Sequence, residues 1–216
     1  MFDIGRGEVQ RRILAQRQFL DMAEAMRATS SREAAACRGL LFVQLYGVYE
    51  NSITTSVQAV LSLIRRDALA PINIRHNVLT LALKGSFDSL SNVGQLKTWK
   101  KRLSLVADLE SQDPLHALVD TAFPFDGSHF RANQLQTIWD IFGLTCPILP
   151  EEKHIGRIAE LVENRNAIAH GRRTADEVGS GFSYEDMKQR INDIEKRSLY
   201  LLNQMENHYI NGGILR

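Results

Sequence analysis

The stretch from Arg32 to Asp67 reads as one long helix, and it limits the fold more than any other part of the 216-residue chain. Leu41, Leu45, Val48 and Ser52 recur along one stripe, while Tyr46, Glu50, Ile53, Val57, Val60 and Ile64 recur along another on the far side. A helix that is apolar on two sides can bury both only in the middle of a bundle. Thr29-Ser30-Ser31 offers its N-cap, with Glu33 close behind. The flanking segments are helical too. Residues 7 to 28 place Val9, Ile13, Leu14, Phe19, Leu20 and Met22 on one side, with Arg11, Arg12, Arg17 and Arg27 forming a solvated face. Ile72 to Leu83 and Ala132 to Gly143 continue the pattern, the latter through Leu135, Ile138, Trp139 and Phe142. Ser183-Tyr184-Glu185-Asp186 resembles a capping box and opens a last helix to about Tyr209. Strand signals are nearly absent, so the expected fold is all-α.

A second segment carries the chemistry. Pro150 suits a first helical position, and from it Ile155, Ile158, Leu161, Val162, Ile168 and Ala169 fall on one stripe. Arg165 lies within that stripe. Burying an unpaired guanidinium costs roughly several kcal/mol, so Arg165 requires a carboxylate or a phosphate. His170 follows five residues later, about 140° around an ideal helix, whereas Asn166 and His170, four apart, share a face. Gly171 reads as the residue that ends the helix, leaving His170 in its last turn. Glu50 in the long helix needs a partner equally: it faces Arg165 or the polar cluster beside it, or it pairs with another base or reaches solvent. The plain alternative makes Arg165 half of a structural ion pair and His170 a helix cap.

Composition narrows the function. A formal net charge of +1 gives no global basic field, so any nucleic-acid contact has to come from a local patch. Arg172 and Arg173 supply one beside His170. Lys97, Lys100, Lys101 and Arg102 around Trp99 could supply another by stacking and phosphate contact, but the favoured reading makes Trp99 the anchor of a short helix to the core. Cys37 and Cys146 fit buried thiols of a reduced compartment. The first residues lack the apolar core of a signal peptide, and no apolar run approaches the roughly 20 residues of a membrane span, so a cytoplasmic location is expected. His116 and His129 stand apart from cysteines and from carboxylates at ligand spacing, so no metal and no cofactor are expected. P-loop, dinucleotide and HExxH motifs are absent.

Arg165-Asn166-Ala167-Ile168-Ala169-His170-Gly171 resembles the R-N-x-x-x-H signature of HEPN domains. With Tyr46-x-x-x-Glu50 on the long helix, the chain is most similar to the RiboL-PSP-HEPN-like branch. The resemblance implies one helical-bundle domain over residues 1–216 with a long central helix. Residues 95–130, which carry Pro114, Pro124, Gly127, Phe123 and Phe125, would be an insertion of loop and short helix. It implies a ribonuclease working as a homodimer whose two motifs meet at the interface, and a toxin or antiviral effector restrained by a partner protein. His170 would then transfer protons and Arg165 would clamp phosphate, with Asn166 orienting one of them and Glu50 supporting from behind. Histidine titrates near neutrality and arginine offers a planar fork of donors. One Arg–His pair holds a single proton-handling group, and a two-fold axis doubles it. Other HEPN domains are non-catalytic dimerisation or interaction modules, which is the alternative function.

Overall fold

The computed structural model describes residues 1–91, 95–115 and 130–216. Among them lie nine α-helices: α1 (Phe2–Met26), α2 (Ser31–Arg66), α3 (His76–Ala82), α4 (Lys84–Ser91), α5 (Gln95–Leu109), α6 (Ala132–Phe142), α7 (His154–Ala169), α8 (Ala175–Gly179) and α9 (Tyr184–Ile210). The chain is all-α. The described residues hold no strand, only an isolated bridge between Ile74 and Leu215, and none of their helices is long and apolar enough to cross a membrane. His116, His129, Phe123, Phe125, Pro124 and Gly127 lie outside the described residues.

The fold divides into two compact units, each assembled from separate stretches. The first comprises Met1–Ser56, His129–Leu135 and Pro147–Gln204. Its core joins Val9, Ile13 and Leu20 of α1 to Leu41, Leu45, Tyr49 and Ile53 of α2, Ile158, Leu161 and Val162 of α7, and Met187, Ile191 and Leu202 of α9. The second comprises Val57–Ser128, Gln136–Cys146 and Met205–Arg216. It buries Val57, Val60 and Ile64 with Val78, Leu79, Ile138, Trp139, Met205 and Ile214.

The apolar members of both stripes expected on α2 are buried, and Glu50, within the second stripe, is half-buried. Ser183 and Asp186 form the expected reciprocal cap: the Asp186 N–H donates to Ser183 Oγ (3.1 Å) and the Ser183 N–H to Asp186 Oδ2 (2.9 Å). Several expectations fail. Leu14 and Met22 are more than half exposed on α1, and Phe2 and Ala23 take their places in the core. Cys37 and Cys146 are free thiols only half-buried. The helix expected over Ile72 to Leu83 is interrupted. Pro71–Asn73 forms a 3₁₀ turn and Ile74 is extended (φ −102°, ψ 142°). The Arg75 N–H donates to Ile214 O and the Arg216 N–H to Asn73 O. Pairing with the C-terminal residues therefore overrides local helix propensity there. The helix expected from Pro150 begins at His154, after a turn in which the His154 N–H donates to Glu151 O.

Gly179-Ser180-Gly181 looks like a flexible turn in sequence. Instead Gly179 ends α8, whose start is capped by Thr174 and Glu177. A Cβ on Gly179 would stand 1.8 Å from Ala35 O, and one on Gly39 would stand 1.9 Å from Ala175 O. Helices α2 and α8 thus touch backbone to backbone, and Arg38 Nε donates to Gly179 O at that contact (3.2 Å).

Candidate functional site

Glu160 and Arg190 fix α7, the helix that carries the motif, to α9. Arg190 Nη2 donates to Glu160 Oε1 (2.7 Å), Arg157 Nη1 donates to Glu160 Oε2 (3.2 Å), and the Arg190 guanidinium lies 4.5 Å from the Phe182 ring centroid. On the opposite side Ile158, Leu161 and Val162 enter the core. Ile155 and Ala169, placed on the same stripe by periodicity, are exposed. Both stand at helix ends, where the core no longer covers the stripe.

Arg165 is half-buried, and its partner is not a carboxylate. Its guanidinium sits 5.2 Å from the centroid of the Tyr46 ring, and its Nη1 donates to Asn166 Oδ1 (3.0 Å). The π-face offers electrostatic attraction worth about 0.5–2 kcal/mol, and the amide satisfies one donor. The other guanidinium N–H groups have no protein partner among the described residues, so they remain free for an anion.

Tyr46 is buried and links the two halves of the site. Its hydroxyl donates to Glu50 Oε1 (3.4 Å) and accepts the Phe130 N–H (3.3 Å). Tyr46 and Glu50 are four apart on α2, which aligns them on one face. Burial pushes the Tyr46 phenol up to about 12; Glu50 adds to the rise, while the Phe130 N–H and Arg165 oppose it. The phenol therefore stays protonated at neutral pH and serves as a donor. Glu50 reaches Arg165 only through this ring, and among the described residues no ion pair joins them directly.

His170 is the C-cap of α7 (φ −96°, ψ 9°), and its N–H donates to Asn166 O (3.0 Å). Gly171 follows with φ +65°, the left-handed conformation that glycine adopts without cost. The Arg172 N–H donates to Ala167 O (2.8 Å) and the Gly171 N–H to Ile168 O (3.1 Å), completing the double-bonded helix stop. The stop turns the chain away and leaves the imidazole exposed, without a side-chain hydrogen bond among the described residues. Buried Asn166 thus contacts the guanidinium through its side chain, while its carbonyl accepts the backbone N–H of His170. Arg172 Nη1 pairs with Glu163 (3.0 Å) and Arg173 Nη2 donates to Glu177 O (2.8 Å), both on the surface.

The sequence placed Tyr46 on a buried stripe and in the Tyr46-x-x-x-Glu50 pattern but gave it no part in the site. The signal was the four-residue spacing from Tyr46 to Glu50, combined with the demand of Arg165 for a partner. An aromatic face can support a guanidinium by stacking while leaving its N–H donors to other acceptors.

The model of the RiboL-PSP-HEPN family matches residues 14–208. No curated protein and no solved structure matches the chain.

Proposed function

We infer the activity from kinship and geometry together: the chain belongs to the RiboL-PSP-HEPN family, and we propose that it is a metal-independent endoribonuclease acting on single-stranded RNA as a homodimer. The observation that carries this reading is the end of α7, where Asn166 Oδ1 holds a half-buried guanidinium with free donors and the helix stop at His170-Gly171 leaves an imidazole exposed five residues along the chain. Arg165 clamps the scissile phosphate with charge-assisted hydrogen bonds. One histidine takes the proton of the ribose 2′-hydroxyl, whose oxygen attacks phosphorus. The bond to the 5′-oxygen breaks, and that oxygen receives a proton from the second histidine. The products are a 2′,3′-cyclic phosphate and a 5′-hydroxyl. Each subunit carries one His170, so the two proton transfers need two copies. Exposure of His170 on a single subunit suits an interface that a second copy completes. Arg172 and Arg173 extend the phosphate contacts, and Glu50 holds Tyr46 beneath Arg165. A cytoplasmic toxin or antiviral role, restrained by a partner protein, completes the proposal.

The test is cleavage of labelled single-stranded RNA in EDTA, with wild type run beside His170→Ala and Arg165→Ala. Cyclic-phosphate ends that disappear in both variants, while both remain folded dimers, are the expected result. Activity untouched by His170→Ala overturns the mechanism.

One observation favours a non-catalytic interaction module. Arg165 already has two partners within its own subunit, the Tyr46 ring and Asn166 Oδ1, as a structural residue would. Under that reading RNA affinity shows no steep salt dependence, whereas phosphate contacts give a slope of about −0.7 per contact for a single strand.

A further inference from the structure

Trp99 overturns the core-anchor reading: it is 69% exposed, together with Leu103 (70%) and Val106 (54%). These residues stand four and three apart and form one stripe along α5. The opposite side of α5 faces its own unit. There Leu105 is buried, Lys101 Nζ donates to Ser89 O (3.1 Å), and Asp108 accepts from Ser86 Oγ (3.1 Å). The helix is therefore held by one face and presents an aromatic and aliphatic stripe on the other.

Charge decides what that stripe fits. The whole chain has 26 basic and 25 acidic residues, yet from Gln95 to Ala107 there are Lys97, Lys100, Lys101 and Arg102 and no acid. On an ideal helix Arg102 lies about 60° to one side of Trp99 and Lys100 about 100° to the other. Lys97, about 160° away, is off the face, and Lys101 is engaged with Ser89. Neither Lys100 nor Arg102 has a carboxylate partner among the described residues. The Arg102 guanidinium already lies 4.9 Å from the Trp99 ring centroid, holding the indole from one side and leaving the other side open to a flat group.

We propose that this face of α5 binds single-stranded nucleic acid, with a base stacked on Trp99 and with Arg102 and Lys100 on the flanking phosphates. Stacking reads no sequence, since every base has a π-face, and it does not use the 2′-hydroxyl. RNA and single-stranded DNA both bind here. The proposal does not depend on the Arg165–His170 site being catalytic.

The experiment uses full-length His170→Ala protein, which keeps the probe intact, and fluorescein-labelled oligouridine and oligothymidine titrated at several salt concentrations. Trp99→Ala weakens both by about 5- to 150-fold, the range of one base stack, and Trp99→Phe restores most of the loss. Replacing Lys100 and Arg102 by Gln flattens the slope of log affinity against log salt by about 1.4. Indole fluorescence gives a direct readout, because the other tryptophan, Trp139, is buried: binding quenches emission in wild type and not in Trp99→Phe. Unchanged affinity and slope in these variants overturn the proposal. Unchanged affinity with an altered sedimentation mass overturns it in favour of a protein contact. Wild-type protein that fails to cleave RNA, with Trp99-dependent binding intact, removes the ribonuclease reading alone.

Discussion

The guanidinium of Arg165 rests 5.2 Å from the centre of the Tyr46 ring, so an aromatic face on α2 supports the cation of the motif on α7. The hydroxyl of the same ring is engaged with Glu50 and with the Phe130 N–H. Ring and hydroxyl therefore do separable work, and substitution can part them. Tyr46→Phe keeps the platform but leaves a buried N–H without its acceptor, a loss of about 1–3 kcal/mol. Tyr46→Leu removes the platform and leaves a void, costing about 3 kcal/mol or more. Urea midpoints should rank wild type, Phe, Leu in falling order. RNA cleavage should survive in Phe within about tenfold and fall below a hundredth in Leu, in line with a misplaced phosphate clamp. Equal cleavage by the two variants would show that the ring does not position Arg165.

His170 and Gly171 are neighbours with opposite sensitivities. The imidazole is exposed and has no side-chain hydrogen bond among the described residues, so His170→Ala should move stability by no more than about 0.5 kcal/mol. It should abolish cleavage by a factor of at least about 100, the lower range for a lost proton-transfer group. Gly171 holds φ +65°, and a Cβ there meets open space, so Gly171→Ala is a purely conformational change. It should cost about 1 kcal/mol. Thermal melts and single-turnover cleavage on the same samples separate the two effects.

Gly39 and Gly179 should tolerate nothing larger. Each Cβ would lie within 2 Å of a backbone oxygen on the facing helix, so α8 has to lift from α2 and Arg38 loses its hold on Gly179 O. Gly39→Ala and Gly179→Ala should each cost about 3 kcal/mol or more. Gly47, on the same helix as Gly39, has nothing within 4 Å of its missing Cβ. Gly47→Ala should add about 0.5–1 kcal/mol. Parallel urea titrations of the three variants decide it. A neutral Gly39→Ala would contradict the close crossing.

The bundle and the motif were legible because both are written in periodic spacing: two stripes on α2, and Arg165, Asn166, His170 and Gly171 in a row. What escaped the sequence depends on meetings between distant segments. Nothing near Arg165 in the chain announces Tyr46, and nothing near Gly179 announces Gly39. Trp99 misled for a related reason: an indole is usually placed by assuming burial, and only the packing of Leu105 and Lys101 shows which face of α5 is turned inward.

His154 makes the fold sensitive to acid. Its side chain on the first turn of α7 is fully buried, with neither ring nitrogen hydrogen-bonded, and Nε2 is 3.5 Å from Asp193 Oδ1 on α9. Burial, then the charge of Arg197, pulls the imidazole below its usual range; Asp193 and Glu151 oppose this and Lys153 reinforces it. Arg197 is itself drawn down to about 10 by burial and stays protonated at neutral pH. Because the folded pKa is depressed, the unfolded chain binds the proton more readily below its pKa of about 6.5. The contribution of His154 is complete above that pH and is lost as pH falls from it toward the folded value, at no more than about 1.4 kcal/mol per pH unit. His154→Leu removes the titrating group, so its stability should change less between pH 7.5 and pH 5.5 than that of wild type. Urea unfolding of both proteins at those two pH values checks this, and parallel losses would place the acid sensitivity on a group other than His154.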